Sequence, residues 1–256
     1  MDYDLPDEVL VTRDGPVRIV TLNRPDDLNA ANAAMHDGLA RLWDQIAADD
    51  DVGAVVLTGA GRAFSAGGDF DFMRRQHADV AFRNTVFEQS RDLLVSMIRF
   101  PLPVVAAVNG PAVGLGCSLA VACDIVLISD RAFLADPHVT VGLVAGDGGA
   151  ALWPLLTSML RAKEYLFTGD RIPAVAAVEL GLANRVVASD LLIPEALALA
   201  HRLAALPRQA LQDTKRALNA HVARAVAGIL DFALSAELLT MASPEHQAII
   251  QGLADH

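Results

Sequence analysis

Ala63-Phe64-Ser65-Ala66-Gly67-Gly68-Asp69 and Asn109-Gly110-Pro111-Ala112-Val113-Gly114-Leu115-Gly116 are the two stretches on which the reading of the fold turns. Each follows a short apolar run and then breaks into glycine. Glycine permits a tight turn and lets a backbone approach a ligand closely. A third stretch of this kind is Gly146-Asp147-Gly148-Gly149. Any one of them is ordinary turn chemistry, and the information lies in their order and in what precedes each.

The runs before the turns read as buried strands. Val17–Leu22 stops at Asn23-Arg24-Pro25, residues 54–58 stop at Gly59-Ala60-Gly61, and Val104–Val108 and Ile125–Ser129 repeat the form. Continuous apolar strands joined by helices indicate an α/β protein whose parallel sheet is covered on both faces. Met35, Leu39, Leu42 and Ile46 recur at helical spacing, with Asn29 or Asn32 as the cap. After residue 190 the pattern is helical: 191–206, 209–220, 223–241, and a last short helix opened by Ser243-Pro244-Glu245. The expected organisation is a core over 1–190 and a helical region over 191–256 that serves trimerisation or covers the site.

The chain has 256 residues, 53% of them hydrophobic, with 20 Lys+Arg against 31 Asp+Glu and a formal charge of −11. That apolar fraction excludes a disordered chain. The charge argues against nucleic acid and anionic membranes, which need clustered cations. Only Lys163 and Lys215 are lysines. Cys117 and Cys123 form no disulfide framework or zinc spacing and read as buried thiols. Met1-Asp2-Tyr3-Asp4 lacks the apolar segment of a signal peptide, and no long apolar run suggests a membrane span, so the expectation is a cytoplasmic protein.

Familiar motifs fail on inspection. Gly114-Leu115-Gly116 would need its third glycine at Leu119, and no P-loop is present. Gly116-Cys117-Ser118-Leu119-Ala120 has the composition of a nucleophile elbow, but the preceding strand ends at Val108, too far back for the turn an elbow requires.

The blocks taken in order are specific. Leu22-Asn23-Arg24-Pro25, Leu28-Asn29-Ala30, Val55-Val56-Leu57-Thr58-Gly59, the turn at 63–69, and Pro103-Val104-Val105-Ala106-Ala107-Val108-Asn109-Gly110 running on to Ala122-Cys123-Asp124 resemble the crotonase (enoyl-CoA hydratase/isomerase) superfamily over roughly residues 9–188. The resemblance implies a ClpP/crotonase spiral of ββα units with a helical C-terminal region, assembled as a homotrimer or a dimer of trimers. It implies an acyl-CoA substrate and no cofactor beyond the coenzyme A carried in that thioester. It also implies an oxyanion hole made by the N–H groups of Ala66 and Leu115. Leu115 would open a helix, whose first N–H groups are free and at the positive end of the dipole. CoA and thioester contacts fall on Leu28, Ala30, Ala66, Gly67, Gly68, Asp69, Gly114, Leu115 and Ser118. The phosphates usually meet basic groups, and the end of this chain, Gly252-Leu253-Ala254-Asp255-His256, offers none.

Hydratases of this family use two glutamates, and their matching positions here are Ser118 and His138. Hydration by paired glutamates therefore has no usual form in this chain. His138, oriented by Asp147, is the alternative acid–base candidate, since a carboxylate beside an imidazole raises its pKa and fixes its tautomer. A His/Asp pair of this kind also resembles the branch that hydrolyses C–C bonds of cyclic β-diketones, and an Asp in this loop resembles the nucleophile of aryl-CoA dehalogenases. A catalytically weak acyl-CoA-binding scaffold is a further reading. Asp147 also stands directly before the apolar stretch 148–158, where it would be an N-cap. Asp69 and Asp71 read as solvated or turn-binding rather than as a metal or acid pair, Glu237 as a solvated helix face with reach to a neighbouring active site as the other reading, and Asp49-Asp50-Asp51 as a solvated loop.

Overall fold

Six strands assemble into one sheet, and the central ones are apolar on both faces and need cover on both. The computed structural model describes residues 3–254; Met1, Asp2, Asp255 and His256, on which part of the reading of the termini rests, lie outside the described residues. In chain order the elements are β1 Val9–Asp14, β2 Val17–Leu22, α1 Ala33–Ala47, β3 Ala54–Gly59, α2 Phe70–Ala78, α3 Val80–Arg99, β4 Val104–Val108, β5 Ala112–Val113, α4 Leu115–Val121, β6 Ile125–Ser129 and β7 Phe133–Ala135. They continue with α5 Gly149–Leu156, α6 Met159–Thr168, β8 Ile172–Pro173, α7 Ala174–Leu180, β9 Arg185–Val187, α8 Leu192–Ala204, α9 Arg208–Ala227, α10 Leu230–Met241 and α11 Pro244–Ala254.

The main sheet has the order β1-β2-β3-β4-β6-β9, antiparallel at β1–β2 and parallel thereafter. A second layer runs beside it. Ala31 bridges Gly68, Ser65 bridges Ala112, and β5 pairs with β7. Each pass of the chain thus lays one strand in the main sheet and one short extended piece in the second layer. That is the repeating spiral the resemblance implies.

One face of the main sheet packs on α1, whose Met35, Leu39, Leu42 and Ile46 are all buried and whose cap is Asn32, accepting from the N–H of Met35 at 2.8 Å. The other face, with Val17, Ala54, Val56, Val105 and Leu127, is covered by Leu192, Ala196, Leu199 and Ala200 of α8. Burial of an aliphatic side chain contributes about 1.5–3 kcal/mol.

Three local expectations change. The helices expected over 209–220 and 223–241 divide later, at Gly228: nothing in His221-Val222 opposes a helix, and glycine is the weak former. The stretch 148–158 is α5 followed by an extended Thr157, after which the Ser158 hydroxyl caps α6. Asp49 is not solvated either. It is buried and paired with Arg18 at 2.9 Å, and it also accepts from Tyr3 at 2.6 Å. Burial opposes its ionisation, but these partners hold its carboxyl down at about 2.

Candidate active site

The two glycine turns lie against each other because glycine leaves room for it. A Cβ on Gly67, whose φ is +95°, would come within 3.0 Å of the Val113 carbonyl oxygen. Gly114, at φ +53°, faces the Cε1 of His138, which a Cβ there would meet at 3.6 Å. Asn29 ties the layer together: its Nδ2 donates to the carbonyls of Ala60 and Ala63, both at 2.8 Å, and its Oδ1 accepts from the Arg24 N–H.

The two turns open onto a cleft of about 260 Å³ roofed by α2, α3, α10 and α11. Its walls are mainly apolar, with Phe72, Val86, Leu143, Leu234 and Met241 among them. No acceptor among the described residues meets the N–H of Gly68 or of Leu115, and both residues line this cleft. Leu115 is the first residue of α4, so its N–H is one of the helix's free donors.

Beside the turns stand four titratable groups. His138 follows Asp136-Pro137 and is buried, with Nδ1 hydrogen-bonded to Asp136. Its Nε2 lies 3.5 Å from Asp147 and 3.8 Å from Glu237. Burial works against charge on His138, but Asp136 and Asp147 override it and raise its pKa well above the usual value. Burial likewise opposes ionisation of Asp147, but the His138 charge and the hydrogen bond from Ser118 lower it. Glu237 goes the other way. Burial, with the repulsion of Asp147 and Asp136, outweighs His138 and pushes it up to about 8. The surroundings thus favour the protonated form of His138, the carboxylate of Asp147 and the neutral acid of Glu237. An ionised and a protonated carboxyl facing one cavity is the arrangement that separates base from acid.

A family model described as Enoyl-CoA hydratase/isomerase matches residues 12–253. The chain belongs to the enoyl-CoA hydratase/isomerase family. It is similar to a crystal structure of an enoyl-CoA hydratase/isomerase from Mycobacterium paratuberculosis, with 53% identity, a TM-score of 0.95, and coverage of 98% of this chain and 100% of that one. It is also similar to a probable mitochondrial enoyl-CoA hydratase of Dictyostelium discoideum, 34% identical over 80% of this chain and 73% of the relative. A 2,3-dehydroadipyl-CoA hydratase of Escherichia coli is 34% identical over 83% of this chain and 82% of its own. The chain is therefore an enzyme of the lyase and isomerase kind found in the enoyl-CoA hydratase/isomerase family.

Within this family member the structure moves several expected roles. Ala66 lines the cleft, but its N–H already donates to the Leu28 carbonyl at 3.0 Å, so it has no donor to offer. The free N–H on that turn is at Gly68. Asp147 does not orient His138. That task falls to Asp136, while Asp147 stands at the other ring nitrogen, farther than a well-formed hydrogen bond. Asp147 is no helix cap, since α5 starts at Gly149 without a side-chain cap. Ser118 does not line the cleft, and its hydroxyl donates to Asp147 at 2.9 Å. Asp69 lies outside the lining, capping α2 and pairing with Arg24 at 3.0 Å. Leu28 and Ala30 are outside it too, and their N–H groups are spent on Pro25 and Asp27.

Sequence reasoning missed Asp136, His36 and the burial of Glu237. The two-residue step across Pro137 is a local signal for Asp136 and His138. His36 sits on the buried face of α1 and is bonded at its two nitrogens to Gln89 and Ser90, both at 3.2 Å. Burial pushes its pKa below the ordinary value. Nothing in the sequence around 237 distinguishes that residue from an exposed helical glutamate.

Proposed function

We propose that this enzyme binds an acyl-CoA thioester and stabilises an enolate at its α-carbon. The N–H groups of Gly68 and Leu115 hold the thioester oxygen, and each such donor contributes about 10²–10³ in rate. Asp147, kept ionised by His138 and Ser118, takes a proton; Glu237, kept neutral by burial, supplies one. His138 carries the balancing charge. The observation that carries this reading is the pair of unengaged N–H groups on adjacent turns, facing a cleft that is also lined by the Asp147 and Glu237 carboxyls.

The test is solvent deuterium exchange at the α-carbon of saturated acyl-CoAs, followed by mass spectrometry, alongside loss of the conjugated-thioester absorbance of trans-2-enoyl-CoAs. Exchange that falls by about 10²–10⁴ in Asp147→Asn supports the assignment. No exchange and no turnover by the wild type, with binding retained, would leave the weak-scaffold reading.

One observation favours a second reading, hydrolysis of a C–C bond in a β-diketone that carries no CoA. Of the two lysines, Lys215 is buried on Asp124 and Leu102, and Lys163 lies exposed on α6, so neither lines the cleft to meet a phosphate. Absence of CoA binding, with turnover on a diketone panel, decides for it.

We also propose a trimer. Leu155, Leu156, Met159, Leu160 and Leu218 are exposed on α5, α6 and α9, and an apolar face of that extent needs cover. A monomer by light scattering overturns this.

A further inference from the structure

Arg83 is a buried cation with no carboxylate beside it. It sits in the first turn of α3, is 8% exposed, and lines the same cleft as His138, Asp147 and Glu237. Its Nη1 donates to the carbonyls of Gln76 at 2.6 Å and His77 at 3.0 Å, at the C-terminal end of α2. Those two bonds engage one nitrogen. Nε is fully buried and without a partner, and no acceptor among the described residues meets Nη2. A guanidinium stays charged at any ordinary pH, and burying one without a counter-ion is costly. The Nε–Nη2 edge is a flat two-donor fork that matches the two oxygens of a carboxylate.

The rest of the cleft says where such a carboxylate would come from. Around Arg83 the walls are Phe72, Met73, Val86 and Phe87, which suit an alkyl chain. The acid–base groups cannot receive an anion, because Asp136 and Asp147 together already outweigh His138. Among the described residues lining the cleft, Arg83 is the one arginine or lysine. We propose that Arg83 is a recognition site for a carboxylate at the far end of the acyl chain, so that the preferred substrates are CoA thioesters of dicarboxylic acids. This rests on the acyl-CoA reading above.

The test uses two unreactive CoA thioethers of equal chain length, one ending in a carboxylate and one in a methyl group, compared at several lengths by calorimetry. At the matching length the carboxylated compound should bind at least about tenfold more tightly, the worth of one charge-assisted hydrogen bond. Arg83→Gln should erase that preference and leave the methyl compound's affinity in place. Should Arg83→Gln fail to fold, Arg83→Lys keeps the charge near α2 but loses the fork, and the preference should shrink. Equal affinity of the wild type for both compounds at every length overturns the carboxylate site and leaves the acyl-CoA reading standing. A preference that survives in Arg83→Gln overturns the site as well. Binding of neither compound overturns both the reading and the site.

Discussion

Nδ1 of His138 is hydrogen-bonded to Asp136, and both side chains are buried. The contact spans a single proline, so it forms whenever this loop folds. It leaves Nε2 as the ring nitrogen that faces Asp147 and Glu237. The protonated ring stabilises the fold below its unfolded pKa, about 6.5, and that contribution is lost as pH rises through the higher folded value. Asp136→Asn should lower the folded pKa, so the loss begins at lower pH. It should also cost about 3 kcal/mol in acid to neutral solution, as breaking a buried pair does. Titration of the His138 ring by NMR and denaturant unfolding at several pH values check both parts.

Glu237 gives the opposite slope. Its folded pKa of about 8 lies above the ordinary glutamate value of 4.5. Between those values the folded state binds more protons than the unfolded one, so stability falls as pH rises through that window. Glu237→Gln should flatten that part of the stability profile and gain stability on its alkaline side. The variant should also lose about 10²–10⁴ in kcat, together with the alkaline limb of the pH–rate profile near 8. An unchanged alkaline limb would remove Glu237 from the proton chemistry.

Gly146 makes room for that acid. A Cβ there would lie 2.5 Å from Glu237 Oε2 and 2.6 Å from the Ala233 carbonyl oxygen. Gly146→Ala should push α10 off the loop, at a cost of about 1–3 kcal/mol. Activity should fall further than Tm does, because Glu237 leaves the position it shares with His138. Thermal melts and initial rates on one preparation separate the two effects.

Asn29 holds the second layer by three hydrogen bonds, is fully buried, and has φ at +56°. Asn29→Ala strands the Ala60 carbonyl and the Arg24 N–H, leaves the Ala63 carbonyl to Asn109 alone, and places alanine in a left-handed conformation. The expected loss is about 2–4 kcal/mol. A shift in the denaturation midpoint with little change in m measures it.

Much of the scaffold was legible because its signals are local. Val17–Leu22, Val104–Val108 and Ile125–Ser129 read as strands from composition alone, and Met35, Leu39, Leu42 and Ile46 marked the buried face of α1. The charged stretch at Asp49 read as solvated because its partner, Arg18, lies far back in the chain, in β2. Helices α2 and α3 carry so many polar residues that their apolar stripe was not seen.

The sequence by itself determined the order of strands and glycine turns, and through them the family, because strand burial and turn geometry depend on neighbouring residues. It also determined that positions 118 and 138 hold a serine and a histidine. Only the tertiary structure decided which groups meet in the cleft and in what state. A backbone N–H is free or spent according to which carbonyl the fold brings to it, as Gly68 and Ala66 show. A carboxyl is an acid or a base according to the burial and charge around it, and Asp147 and Glu237 receive theirs from α4, the 136–148 loop and α10, elements far apart in the chain.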